Sequence, residues 1–191
     1  MAKIKDGTKL ITNVVSLSYP HLFEKYSMDP KQEGKYSCCL LIPKDDTETL
    51  GLIEQLVSEV EDSTGRKLWG GKIPKNVHNP LRDGDEEKDT EAHPEWKGMM
   101  FLNATSNRRP GVINMKKENL EEDEIKAGDY VRAAINFYAY SNSGNNGVAV
   151  GLNNIQKVKN GEALGGTGAS AESDFDDDFV APEEDEDDLG I

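Results

Sequence analysis

A chain of 191 residues with 36% hydrophobic and 30% charged side chains has room for one domain with a real core plus a further segment, and no stretch approaches the 18 consecutive apolar residues of a transmembrane helix. The formal charge of −14 is unevenly placed: residues 161–191 hold twelve acids and no Lys or Arg, and setting those twelve aside leaves 22 basic and 24 acidic residues in the other 160. The body is close to neutral, so an acidic total does not exclude a nucleic-acid partner.

The first ten residues, MAKIKDGTKL, lack the apolar core of a secretory signal, so a cytoplasmic location with no membrane partner is expected. Residues 8–19 are rich in Val, Ile, Leu and Thr, and 36–42 form a short continuous apolar run; they predict two strands, the second ended by Pro43. Cys38 and Cys39 lie in the second. Their adjacency excludes a disulfide framework or a CxxC site, and they are expected to pack as small hydrophobes. Over 46–62, Leu50, Ile53, Val57 and Val60 recur at three and four, the stripe of an amphipathic helix. Asp45, Asp46, Thr47 and Glu48 supply its cap and first-turn acids, and Gly65 lies beyond its end. Its exposed acids, Glu54, Glu59, Glu61 and Asp62, would repel a nucleic acid.

Residues 70–95 carry three prolines and the acidic run DGDEEKDTE, and predict long loops, some of them mobile. Strand character returns at 98–105, 111–114, 129–141 and 147–155, the last two joined by the turn-rich NSGNNG. Six strands with one inserted helix predict a mainly β fold, a small barrel or sandwich. Beyond residue 160 the chain turns small and acidic, with too little to bury, and a disordered tail over 161–191 is expected.

Strand 130–140 is the most informative. Val131, Ala133, Ile135, Phe137 and Ala139 form an apolar face; Tyr130, Arg132, Ala134, Asn136, Tyr138 and Tyr140 form the other. Tyrosine is a common strand residue, but a surface row of tyrosines with an Arg also suits single-stranded nucleic acid, whose bases stack on rings while cations track the phosphates. Lys72, Lys75, Arg108, Arg109, Lys116 and Lys117 fall in predicted loops or strand ends, with Trp69 and Phe101 as further candidate rings. Without the helix and the acidic loop 82–95, the body keeps 20 basic and 10 acidic residues, so its β-portion is basic.

The segments WGGKIPKNVHNPLRDGD (69–85) and AGDYVRAAINFYAYSN with GVAVGLNNIQKVKNGEALGG (127–166) resemble a bacteriophage family of single-stranded-DNA-binding proteins, over most of residues 8–166. That resemblance implies an OB-fold-like barrel over 1–160, decorated with a helix and long loops, which coats single-stranded DNA during phage replication or recombination in the host cytoplasm. Such a role needs no cofactor and no metal. A homo-oligomer is compatible with it.

The tail segment SDFDDDFV resembles the acidic tip of bacterial single-stranded-DNA-binding proteins, which recruits replication and repair enzymes. Phe175, Asp176, Asp177, Asp178 and Phe179 are the matching residues. Here Phe179 is followed by VAPEEDEDDLGI, so a pocket built for a terminal aromatic carboxylate would not accept it in the same way. From charge alone, twelve acids on a tether sit at high effective concentration near the chain's own basic face and would compete with DNA.

Enzymatic readings are weaker. Asp83 or Asp85 with Glu95-Trp96-Lys97 resembles a metal-dependent nuclease triplet, but within an acid-rich loop that spacing arises readily by chance. The same run places Lys88 where a calcium-binding loop requires Gly. GRKLWGGK lacks phosphate-loop spacing, and Ile73 stands where the Ser or Thr would hold Mg²⁺. His21, His78 and His93 are too scattered for zinc. The alternative to DNA binding is an interaction module or DNA mimic acting through its acidic tail, which would have no use for a basic strand face.

Overall fold

In the computed structural model the described residues are 1–162. Ten strands follow in chain order: β1 (Lys3–Asp6), β2 (Lys9–Ile11), β3 (Val15–Tyr26), β4 (Lys35–Pro43), β5 (Val77–His78), β6 (Arg82–Asp83), β7 (Met99–Ser106), β8 (Gly111–Ile113), β9 (Tyr130–Asn142) and β10 (Asn145–Lys159). All six predicted strands are present, with β3 reaching further and β2 split from it at Thr12–Val14. The edge strand β1 and the short β5 and β6 were not foreseen.

Five of these strands close a ring. β9 pairs with β3, β3 with β4, β4 with β7, β7 with β10, and β10 returns to β9. All the pairings are antiparallel except β7 with β10, which meet at Ala104↔Val150 and Thr105↔Gly151. Those two positions are the weakest seam with Val15↔Val131 and Ser16↔Tyr130, so the ring is partly open rather than a smooth cylinder. A five-stranded ring with this connectivity is an OB-type barrel.

Alternation fills it. Leu17, Leu40, Ile42, Leu102, Val131, Ile135, Phe137 and Ile155 point inward and are no more than 1% exposed. Helix α1 (Thr47–Val60) adds Ile53, Leu56, Val57 and Val60 to the same core and runs on through an irregular turn to Leu68. Its start is pinned from two sides. The Asp46 carboxylate accepts from Thr49 N at 3.1 Å and from Asn13 Nδ2 at 2.9 Å, tying the helix to the chain before β3. Replacing Asp46 by Ala removes that cap and is expected to cost about 1 kcal/mol, a melting-temperature drop of about 2–4 °C by calorimetry.

A second apolar cluster lies outside the barrel. Cys39, Leu41 and Phe101 face away from the main core and are covered by Trp96, whose ring meets that of Phe101 edge-on at 5.0 Å. The stretch 79–98, most of it within the 70–95 run expected to form long loops, is packed down on β4 and β7. Lys44 staples it, with Nζ at 2.7 Å from Asp83 and 2.8 Å from Asp85, while Asp85 also accepts from Gly98 N. Both cysteines are buried and free as expected, and burial raises the Cys39 thiol to about 12.

Candidate nucleic-acid interface

β9 alternates as predicted, with Val131, Ala133, Ile135 and Phe137 buried and Tyr130 and Tyr138 about 40% exposed. Its pairing with β10 takes up two irregularities, at Leu152/Asn154 and Lys157/Lys159, on the β10 side, so β9 keeps its phase. The outward row does not act as one surface, however. Eight residues of extended chain place Tyr130 roughly 26 Å from Tyr138. At the Tyr130 end, Lys159 Nζ lies 4.6 Å from the ring centroid. Arg132, expected to meet phosphate, instead donates to the carbonyls of Thr12 and Met1 at 3.0 and 3.1 Å and fastens the N-terminal strands. Asn136 accepts from Asn153 Nδ2 and lies against Gly151, where a Cβ would come within 2.5 Å of its Oδ1.

The other end of β9 opens into a groove of about 440 Å³. Tyr138 and Tyr140 of β9, Val148–Val150 of β10, Asn103 and Thr105 of β7, and His78 and Pro80 line it, with Lys35 and Arg82 supplying cations. Gly147 makes the Tyr140 position possible, since a Cβ there would fall 2.8 Å from both the Tyr140 ring and His78 Cβ. Arg82 is pre-set: its guanidinium lies 4.8 Å over the Phe101 ring and its Nε donates to Glu87 at 2.8 Å. That bond holds the Glu87 carboxyl below its usual range. The acidic segment set aside on charge thus supplies one of the groove's two cations.

Two predicted rings are not free. Phe101 is 1% exposed within the outer cluster, because Trp96 and the packed 79–98 segment cover that half of the β4–β7 face. It can stack no base. Trp69 is half-buried and donates its indole N–H to the Tyr140 carbonyl at 3.0 Å, so it steadies the end of β9. The predicted lysines and arginines are exposed, but in three places. Lys72 and Lys75 precede β5, beside the groove, since β5 pairs with Asn146 and Gly147. Arg108 and Arg109 follow β7, with Arg109 4.9 Å over Phe23. Lys116 and Lys117 sit on the turn after β8, which pairs with Asn154–Gln156 toward the far end of β10. Phe175, Asp176, Asp177, Asp178 and Phe179 lie outside the described residues.

Lys35, Arg82, His78, Tyr19 and the stacked pair His21–Tyr26 escaped the sequence reading. His21 and Tyr26 lie 4.2 Å apart and within 6° of parallel, on the β3 arm opposite Ser37 and Lys35. Tyr19 is 60% exposed with φ 43°, on a β3 irregularity that turns it outward. A His and two Tyr within eight residues of one strand was the signal available.

The nuclease triplet does not assemble. Asp83 and Asp85 are held by Lys44, whose hydrogen bonds lower both carboxyls, and Trp96 is buried. Among the described residues, no three His, Cys, Asp or Glu side chains converge as metal ligands, and no helix is long and apolar enough to cross a membrane.

Known proteins resemble this chain in sequence and fold. The chain is 32% identical, over 92% of its length and 97% of the relative's, to protein p50 of Acyrthosiphon pisum secondary endosymbiont phage 1. The single-stranded DNA-binding protein from bacteriophage Enc34, solved in complex with ssDNA, superposes with a TM-score of 0.72 at 26% identity, covering 86% of this chain and 97% of that one. The single-stranded DNA-binding protein gp2.5 of bacteriophage T7 shares the fold, with a TM-score of 0.60 at 13% identity over 81% of this chain and 93% of its own. None of these is described as an enzyme. The family described as Enterobacter phage Enc34, ssDNA-binding protein, matches residues 8–189, and the chain belongs to it.

Proposed function

We propose that this chain binds and covers single-stranded DNA, with little sequence preference, during phage DNA replication or recombination in the host cytoplasm. The observation that carries the reading is the groove at the Tyr138 end of β9, which two tyrosines line together with Lys35 and Arg82. Stacking accepts every base, and cations meet phosphates whatever the sequence. The reaction is binding alone. A labelled single strand incubated with excess protein is expected to survive a single-strand-specific nuclease; digestion at the rate of bare DNA would overturn the reading.

The acidic tail fits a second part of the same role, recruiting replication or recombination proteins through Phe175 and Phe179 once DNA displaces it from the basic groove. Deleting residues 163–191 leaves the Gly161 N–H on Asp129 in place. This truncation is expected to tighten binding to single strands several-fold at low salt, with the gain fading as salt rises. Equal affinity with and without the tail would remove self-competition from the account.

A further inference from the structure

Beyond Tyr140 the groove continues into an open pocket of about 730 Å³ whose walls carry an unusual set of side chains. Asn76, Asn142, Asn145 and Asn146 line it with His78 and Tyr140, and no Lys, Arg, Asp or Glu does. Turn chemistry does not account for these amides. The β9–β10 hairpin turns on Ser143 and Gly144, the residues with positive φ at 48° and 88°. Those are the two positions where a tight hairpin favours Asn followed by Gly. The chain puts Ser in the first of them and places Asn142, Asn145 and Asn146 in paired strand positions, where asparagine is disfavoured. Among the described residues, the side-chain amides of Asn76, Asn145 and Asn146 make no hydrogen bond within the protein, and Asn142 Oδ1 accepts only from Ser143. The pocket is thus a wall of free amide donors and acceptors beside an aromatic ring.

Phosphate would find no Lys or Arg in that lining. An unpaired nucleobase would find a ring to stack on and amides for its edge. Each amide offers one carbonyl and one N–H pair, and rotation about its last bond exchanges them, so the wall can match any base. It cannot match a base whose edge is already taken by a partner strand.

We infer that the asparagine pocket beyond Tyr140 receives the Watson–Crick edge of one unpaired base, and that it is a source of preference for single strands over duplex. The inference rests on the DNA-binding reading above, and its test separates the two. Binding is compared, by anisotropy, between oligo-dT and an oligonucleotide of equal length in which every thymine carries a methyl group on N3. That methyl blocks the edge and leaves ring faces and phosphates intact. The wild-type chain is expected to bind the methylated strand about tenfold more weakly, with an unchanged salt slope. The Asn145→Ala/Asn146→Ala variant is expected to bind both strands alike, near the level of wild type on the methylated one. Equal binding of both strands by the wild type, or full discrimination by the variant, overturns the pocket while leaving DNA binding in place. Failure of the wild type to bind oligo-dT at low salt overturns both.

Discussion

Replacing Asp129 by Asn is expected to lower the unfolding free energy by about 3 kcal/mol, because it breaks a buried ion pair and leaves Lys157 uncompensated. Asp129 is fully buried where the chain turns into β9, and its carboxylate lies 2.8 Å from Lys157 Nζ on β10. It also accepts from the N–H groups of Lys126 and Gly161 at 3.0 and 3.1 Å. Its backbone carbonyl accepts from Leu17 N at 2.9 Å. One residue therefore joins β3, β9 and β10 at the narrow seam where the barrel closes. Burial alone would raise this carboxyl, but the Lys157 and backbone hydrogen bonds outweigh it and hold the group below the usual aspartate range. As pH falls below about 4, the unfolded chain takes up this proton before the folded one does, so the stabilisation is full at neutral pH and drains away in acid. Urea unfolding from pH 7 to pH 3 should show a decline in wild type that is shallower in the Asn variant. A variant as stable as wild type at pH 7 would mean the pair contributes nothing to closure.

Tyr138→Ala carries the largest effect expected on binding. The side chain is 40% exposed and borders the groove, so its loss should leave stability nearly unchanged while removing a stacking platform. Such platforms are worth about 1–3 kcal/mol per base, or a loss in affinity for oligo-dT of roughly five- to 160-fold. The salt slope should stay the same, because no phosphate contact is touched. Tyr130→Ala, at the other end of β9 beneath Lys159, should lose far less. Equal losses in the two variants would restore the single continuous tyrosine row that alternation suggests.

The difference between that row and the groove shows what the sequence could carry. Alternation over 130–137 gives the inward and outward faces of β9 correctly, because it is local and one face is buried. It does not say what lies opposite each outward residue. Arg132 is consumed by the Thr12 and Met1 carbonyls, which lie 120 and 131 residues away in sequence. Phe101 fails for a related reason. MMFLNATS is apolar on both faces, which a strand needs only when something covers its outer side, and here that cover is Trp96 from a segment rich in charge and proline. The same segment hides Arg82, whose neighbours in sequence are acids but whose neighbour in space is a ring of the barrel's outer face. The helix reads well, since Ile53, Val57 and Val60 are buried as their spacing requires, although Leu56 joins them. The ring closure through the parallel Ala104↔Val150 pairing has no local signature at all.

The central claim is tested most directly by fluorescence anisotropy of labelled oligo-dT in a salt series, with a duplex of equal length as control. The account predicts tight binding to the single strand at low salt and weak binding to the duplex. It also predicts a log–log salt slope of about −1.4, for two phosphates met by the groove's Lys35 and Arg82, steepening by about 0.7 for each further cation engaged. Absence of binding to either at low salt, with residues 163–191 removed as well, would contradict it and leave the acidic tail as the working part of the chain.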